Sequence, residues 1–249
     1  MTSPEIFRRF IALAGGPDAR ILVVPTAMGE GDYDDSYGAV QAFRSHGARS
    51  VRILHTMDPA VADTDAFVEP LRSADGVFFT GGRQWRLVDA YGGTRTEVEL
   101  RRVLERGGVI GGNSAGATVL GSFLVRGDTS GNEILIGDHQ RGFGYLRDVA
   151  IDQHVLRRNR QHDLVQVVER HPELLGIGID EDTAIVVQGD FFDVIGSSYV
   201  TIVDRGAVTG SDGRFYLLAP GDGFHLDTRV ATRPSRTDGP VPNVTRNPG

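Results

Sequence analysis

The sequence predicts an α/β fold: a doubly wound, mostly parallel sheet, then C-terminal antiparallel hairpins and a flexible tail. Three observations predict it. Short apolar runs alternate with segments of helical periodicity through the first half of the chain, the pattern of consecutive βα units. Those apolar runs are nearly continuous, as strands are when helices cover both faces of a parallel sheet. Glycine pairs lie at the ends of two of them, and ligands of doubly wound sheets bind beyond the carboxyl ends of the strands. The 249 residues suit one large domain, taken as residues 1–228, with 229–249 as the tail.

Ser3 to Ala14 opens with an N-cap serine and has Pro4 at the first helical position. Ile6, Phe7, Phe10, Ile11 and Leu13 then recur at helical spacing, so the segment reads as a helix. Arg20 to Thr26 is a short buried strand. Asp34 to His46 follows as helix, Ser50 to Leu54 as strand, Thr64 to Ser73 as helix, and Gly76 to Thr80 as a strand ending in Gly81-Gly82. Thr94 and Glu97 form a T-x-x-E capping box that opens a helix to Glu105, and Gly107-Gly108 stops it before the strand Val109 to Gly112. From Leu174 onward the pattern changes to short β-rich pieces: 174–179, 183–188, 191–195, 200–203 and 215–218. These read as hairpins, so the sheet turns antiparallel there. Ala231 to Gly249 holds four of the 11 prolines and almost no apolar periodicity, the composition of a flexible tail.

Two absences narrow the chemistry. No cysteine is present, which excludes thiol nucleophiles, disulfides, cysteine-ligated zinc and iron–sulfur clusters. All 26 basic residues are arginine, which excludes a Walker lysine, Schiff-base catalysis and a serine–lysine dyad. With a net charge of −7 and its arginines scattered, the chain has little attraction for phosphate backbones, and no nucleic-acid partner is expected. No apolar run approaches the roughly 18 residues of a membrane span, and the N-terminus lacks a secretory pattern. The expectation is a cytoplasmic protein with no membrane partner.

Gly112-Asn113-Ser114-Ala115-Gly116 is a G-x-S-x-G placed between an apolar strand and Ala117 to Leu120, which can continue as helix. That is the context of a nucleophile elbow, in which a serine on a strained turn projects its hydroxyl over the sheet edge. The amides that open the following helix, beginning with Ala115, can donate to an oxyanion. A serine needs a base, and seven histidines compete. His46, His162 and His171 have ordinary surface contexts, and His55 and His139 are little different. His154 stands in Ile151-Asp152-Gln153-His154-Val155, where polar groups interrupt a strand-like piece. Glu181 lies among three carboxylates directly after another apolar strand, a position open either to a catalytic acid or to a solvated turn.

In order and spacing, Gly81 to Gln84, Gly111 to Ala117, Asp152 to His154 and Gly178 to Ala184 resemble the cyanophycinase family of serine peptidases, from roughly Ser3 to Val203. The resemblance implies a fold similar to class I glutamine amidotransferases, with serine in place of cysteine at the elbow. It also implies a homodimer and a peptide substrate, β-linked aspartyl-arginine chains, cleaved through an acyl-enzyme with no metal and no cofactor. Carried over position by position, Ser114 is the nucleophile, His154 the general base and acid, and Glu181 the carboxylate orienting the imidazole. Gly82 and Ala115 supply the oxyanion-hole amides, and Gln84, Asp152, Gln153, Arg158 and Arg160 line the substrate site.

The chain departs from the family's pattern in places. Where R-x-R-x-x-R is usual, Arg158 and Arg160 are followed by Asp163; Val155 stands for phenylalanine; Trp85 and Val88 replace smaller and basic residues. The loss of a cation at 163 implies altered recognition of a substrate carboxylate, and an arginine there is expected to favour a β-aspartyl-arginine polymer. The resemblance also implies a strand and glycine-rich turn ahead of the first helix, which here starts at Ser3. Two other readings are a catalytically impaired pseudo-peptidase that binds acidic or arginine-containing peptides, and an α/β-hydrolase esterase. The esterase orders its triad serine, acid, late histidine, and His225 is its candidate.

Overall fold

The computed structural model describes residues 3–205 and 215–234. Strand β1 (Arg20–Val24) lies between β2 (Ser50–Ile53) and β3 (Gly76–Phe79), and β4 (Val109–Gly112) pairs with the far side of β3, all parallel. Ile21 to Val24 and all of β3 are buried, which is why these strands read as continuous apolar runs. Helices α1 (Pro4–Leu13) and α2 (Gly38–Ser45) cover one face. They set Phe43 edge-on to Phe7, Phe10 and Phe78, and Phe10 edge-on to Phe78, with ring centroids 5.1 to 5.5 Å apart. The other face carries α4 (Asp65–Ser73), α5 (Gln84–Tyr91) and α6 (Arg95–Glu105), packed through Leu71, Leu87, Leu100 and Val103 onto Val77 and Phe79.

Two short helices had no counterpart in the sequence reading. One is the four-residue α3 (Pro59–Ala62), which has Pro59 in its first turn and the Asp58 side chain accepting from the Ala60 amide. The other is α5, whose eight residues bury Gln84, Leu87, Ala90 and Tyr91. The first is too brief for an apolar period to register, and the second breaks its buried face with the polar Gln84.

Beyond the elbow at Ser114 come the one-turn helix α7 (Ala115–Thr118) and β5 (Gly121–Phe123). β5 pairs in parallel with β6 (Leu146–Gln153) and β6 with β7 (Leu175–Ile179). Antiparallel β10 (Val200–Val203) and β11 (Tyr216–Leu218) complete that sheet. Helix α8 (Asp163–Arg170) covers it with Leu164, Val165, Val167 and Val168. A third sheet is wholly antiparallel: β8 (Thr183–Gln188), β9 (Phe191–Gly196), β12 (Gly223–His225) and β13 (Val230–Thr232). Among the described residues, the sheet expected as continuous is thus divided into three by hydrogen bonding. One cause is local: a parallel crossover takes a dozen or more residues, and α7 supplies too short a link to bring β5 back beside β4.

Val230–Thr232, inside the segment expected as tail, pairs with β12, and residues 235–249 lie outside the described residues. Among the described residues no helix is long and apolar enough to cross a membrane. The aromatic cluster under α1 and α2 gives a direct test of how those helices are held. Phe43 is fully buried, so Phe43→Ala should lower the unfolding free energy by about 3–5 kcal/mol, read from the urea midpoint at unchanged slope. A loss below about 1 kcal/mol would show that the cluster does not anchor them.

Candidate active site

The turn from β4 into α7 is tight because backbone meets backbone there. A Cβ built on Gly116 would lie 2.2 Å from the Phe79 carbonyl oxygen, and one on Gly112 would lie 2.4 Å from that of Gly116. No side chain fits either place. Ser114, between them, has φ 52° and ψ −120°, a left-handed conformation that costs a non-glycine residue on the order of 1–3 kcal/mol and persists only where the surroundings enforce it. The glycine turn after β3 lies alongside: a Cβ on Gly81 would be 3.2 Å from the Ser114 Cβ. Gly82, at φ 138°, has the Ala27 carbonyl where its Cβ would stand. The Ala115 amide opens α7, where N–H groups have no partner within the helix.

Three strand ends converge on this elbow. His154 follows β6, and its Nε2 is 2.9 Å from Ser114 Oγ; Glu181 follows β7, and its Oε1 is 2.7 Å from His154 Nδ1. A carboxylate at Nδ1 fixes the proton on that nitrogen and leaves Nε2 to accept from the serine hydroxyl. The imidazole is largely enclosed, with 19% of its side chain exposed. His154 also has positive φ, 59°, so the chain reverses immediately after the ring is presented. The arrangement can transfer a proton from a serine hydroxyl to an imidazole while a carboxylate stabilises the cation formed.

Two supports of this geometry escaped the sequence reading. Asp180 accepts from the Leu156 and Arg157 amides through Oδ1 and from Ser198 through Oδ2, tying the turn after His154 to the segment that carries Glu181. Burial would raise its carboxyl pKa, but the hydrogen bonds from Ser198 and the backbone amides outweigh it, and the group is held below its ordinary 3.8. The second support is Arg126, a fully buried side chain whose Nε and Nη2 grip both oxygens of Asp152 at 3.0 and 3.2 Å. Its Nη2 also bonds Asp163 at the start of α8, and its Nη1 bonds the Asn132 carbonyl. Asp180 was visible only as a neighbour of Glu181. Arg126 carried no signal in sequence, being one arginine after an apolar run.

The expected substrate-lining residues are distributed unevenly. Gln153 and Arg158 flank His154 in the chain, and Arg158 is exposed. Asp152 is fully buried against Arg126, and Gln84 is buried with its amide nitrogen 2.6 Å from the Val125 carbonyl. Arg160 is also buried and donates to Glu133 at 3.0 Å; burial, then the nearby Arg126 cation, lowers its pKa. Residues 155–162 are turns, with the Arg158 amide on the His154 carbonyl and the Arg160 amide on that of Val155, so regular helix begins only at Asp163. Asp163 is engaged by Arg126, which changes the expectation drawn from its sequence. An arginine at 163 would face another guanidinium and lose the pair.

His225, required by the esterase reading, stands on β12 with its ring 4.8 Å from that of Phe191, whereas the histidine at Ser114 is His154. Among the described residues no group of three or more His, Asp or Glu is placed to hold a metal. Ser114, His154 and Glu181 form one end of a cavity of about 400 Å³ that continues between β4 and β8.

Comparison with known proteins gives a consistent picture. The model of peptidase family S51 matches residues 2–195. A cyanophycinase of Geminocystis herdmanii is 36% identical over 90% of this chain and 89% of its own, and one from Nostoc sp. is 35% identical over 91% and 82%. Among solved structures, a peptidase from an acI-B1 Actinobacterium superposes with a TM-score of 0.68 at 23% identity, covering 90% of this chain and 91% of that one. A putative peptidase E protein of Listeria monocytogenes gives 0.58 at 17%, covering 80% and 96%. At those identities the two structures speak for the fold.

Two outcomes follow from the supporting contacts. Asp163→Arg should destabilise the protein by on the order of 3 kcal/mol, since it breaks a partner of a buried cation and adds a like charge; a variant as stable as the parent in urea would refute the pairing. For Asp180 the folded pKa is depressed, so its stabilisation is present above the ordinary value of 3.8 and is lost as pH falls through the folded value. The parent should therefore exceed Asp180→Asn in stability at pH 7, with the gap narrowing below about pH 4. A gap constant from pH 7 to pH 3 would show that the ionised form is not what holds the turn.

Proposed function

The chain belongs to peptidase family S51 and is a serine-type peptidase, and on that premise we propose that it hydrolyses β-linked aspartyl peptides of the cyanophycin type through an acyl-enzyme on Ser114. The observation that carries the catalytic assignment is the hydrogen-bonded chain Ser114–His154–Glu181, built on a serine of positive φ. Ser114 Oγ attacks the scissile carbonyl while its proton passes to His154 Nε2. Glu181 keeps the ring in the required tautomer and stabilises the imidazolium. The Gly82 and Ala115 amides receive the oxyanion, and His154 returns the proton to the departing amine. Water then repeats the sequence in reverse order on the ester.

The substrate class comes from the relatives named as cyanophycinases, and the charge of the site agrees with it. Arg158 meets the substrate's carboxylate from the exposed turn beside His154, and Gln153 adds a polar contact from the other side. Planar guanidinium forks bind carboxylates in two parallel hydrogen bonds, which suits a chain of free carboxyl groups. Arg160, Asp152 and Gln84 act from behind, holding the turn and the strand end that present these groups.

Ser114→Ala should reduce turnover by roughly 10⁴-fold or more while leaving the thermal midpoint within a few degrees of the parent. An active-site serine reagent should label Ser114 alone, as read by peptide mass. Labelling at another residue in active protein, or full activity in the alanine variant, would remove the catalytic assignment. Digestion of β-aspartyl-arginine polymer beside ordinary α-linked acidic peptides, with products read by mass, tests the substrate class: release of dipeptides from the polymer alone is expected. Preference for the α-linked peptides would replace it.

A further inference from the structure

The glycine turn after β3 hangs between two backbone anchors. On one side the Thr80 amide donates to the Val24 carbonyl at 3.0 Å; on the other the Arg83 amide donates to the Ala27 carbonyl at 2.7 Å. Between them stand Gly81 and Gly82, whose φ and ψ no side chain restricts, so the peptide that joins them takes its orientation from its anchors. Gly82 is pressed directly against the second one, with the Ala27 carbonyl and the Met28 nitrogen crowding the place where its Cβ would stand. A shift of Ala27 would turn the Gly82 amide away from Ser114.

Ala27 belongs to an element that is weak by itself. Thr26–Met28 is a single 3-10 turn, a form with poorer hydrogen-bond geometry than an α-helix, and it ends at Gly29 with φ 103° and ψ −158°. Arg86, in the first turn of α5, fixes it from outside. Its Nη1 donates to the Met28 carbonyl at 2.7 Å and to the Ala27 carbonyl at 3.2 Å. The approach is close enough that a Cβ on Gly29 would lie 2.8 Å from Nη1 and 3.1 Å from Cζ, so the guanidinium occupies the space of the side chain that Gly29 lacks. The Trp85 ring centroid is 5.4 Å from Arg86 Cζ, a cation–π contact that limits the swing of the group. The Ala27 carbonyl thus accepts from two sides, from Arg86 Nη1 and from the Arg83 amide, and two hydrogen bonds in series connect the guanidinium to the glycine turn.

We propose that Arg86 is a positioning residue of the peptidase: acting through the Ala27 carbonyl, it holds the Gly82 amide toward the oxyanion formed at Ser114. This role rests on the proposed assignment of Ser114 as nucleophile and Gly82 as oxyanion donor. Its signature is a loss confined to the chemical step, because an oxyanion donor meets a charge that develops only once attack has begun.

Two variants break the contact from opposite sides. Arg86→Met keeps an apolar stem and removes the donors, whereas Gly29→Ala leaves Arg86 in the chain and drives its guanidinium off the carbonyls. The probe is a fluorophosphonate: Ser114 Oγ bonds to phosphorus, fluoride leaves, the hydroxyl proton passes to His154, and the phosphoryl oxygen takes the oxyanion position. The limiting rate of labelling at Ser114, followed by peptide mass, should fall at least about tenfold in each variant, a fraction of the effect of deleting a donor outright. The reagent concentration giving half that rate should stay within about twofold, and the midpoint of the pH–rate profile, set by His154, should not move. On β-aspartyl-arginine polymer, kcat should fall by a similar factor with KM within about twofold. Because both variants remove one contact, the double variant should be within about twofold of the slower single one.

Parental limiting rates in the two variants would overturn the proposal. So would losses that multiply in the double variant, or a loss carried by KM. Should Arg86→Met fail to fold, Gly29→Ala decides alone, and a parental limiting rate there overturns the role of Arg86. A parent that is not labelled at Ser114 is a separate result, which would remove the catalytic assignment and this role with it.

Discussion

The buried guanidinium of Arg126 is the contact on which the arrangement of this site depends. It lies just beyond β5 and reaches the end of β6 through Asp152, the start of α8 through Asp163 and the loop at Asn132. A cation taken out of water is costly unless every donor is met, so this side chain can occupy its place only when those partners are in theirs. That requirement fixes the end of β6, and two residues later the chain presents His154. The hydrogen bonds at the imidazole are therefore the last members of a series that starts with a charge the fold cannot leave unpaired.

A second constraint is steric and acts on the serine. Gly112 and Gly116 allow the elbow's backbone to touch itself and the carbonyl of Phe79, an approach closed to any residue with a Cβ. The positive φ of Ser114 follows, because the chain must turn from strand to helix within one residue. Strain at Ser114 is thus maintained by packing between β3, β4 and α7, and its hydroxyl is held against His154 Nε2.

Much of this was legible in the sequence, for identifiable reasons. The parallel strands announced themselves as continuous apolar runs, since helices cover both faces, and the elbow as glycines around a serine, since backbone contact demands them. The division into three sheets was not legible: a parallel or antiparallel edge leaves the same apolar pattern whichever neighbour it lacks. α3 escaped because four residues are too few to show a period of 3.6, and α5 because its buried face includes the polar Gln84 beside Leu87, Ala90 and Tyr91. Asp180 and Arg126 escaped for a different reason. The side chains they bond, Asp152, Asp163 and Ser198, are 18 to 37 residues away along the chain, and no local rule ties a buried ion cluster to its sequence.

The same cluster changes how a departure from the family's pattern is read. Asp163 falls where a third arginine is usual, which on sequence alone suggests a substrate site short of one cation. In the fold its carboxylate meets Arg126 and not the open turn, so the substitution belongs to the interior charge balance. Arg126 faces Asp152 and Asp163, two anions around one cation, with Arg160 and Glu133 next in line. Removing Arg126 would leave the fully enclosed Asp152 carboxylate without its cation, a loss that exceeds that of an exposed pair severalfold. Arg158 stands exposed on the turn after His154, while the buried members hold that turn in place.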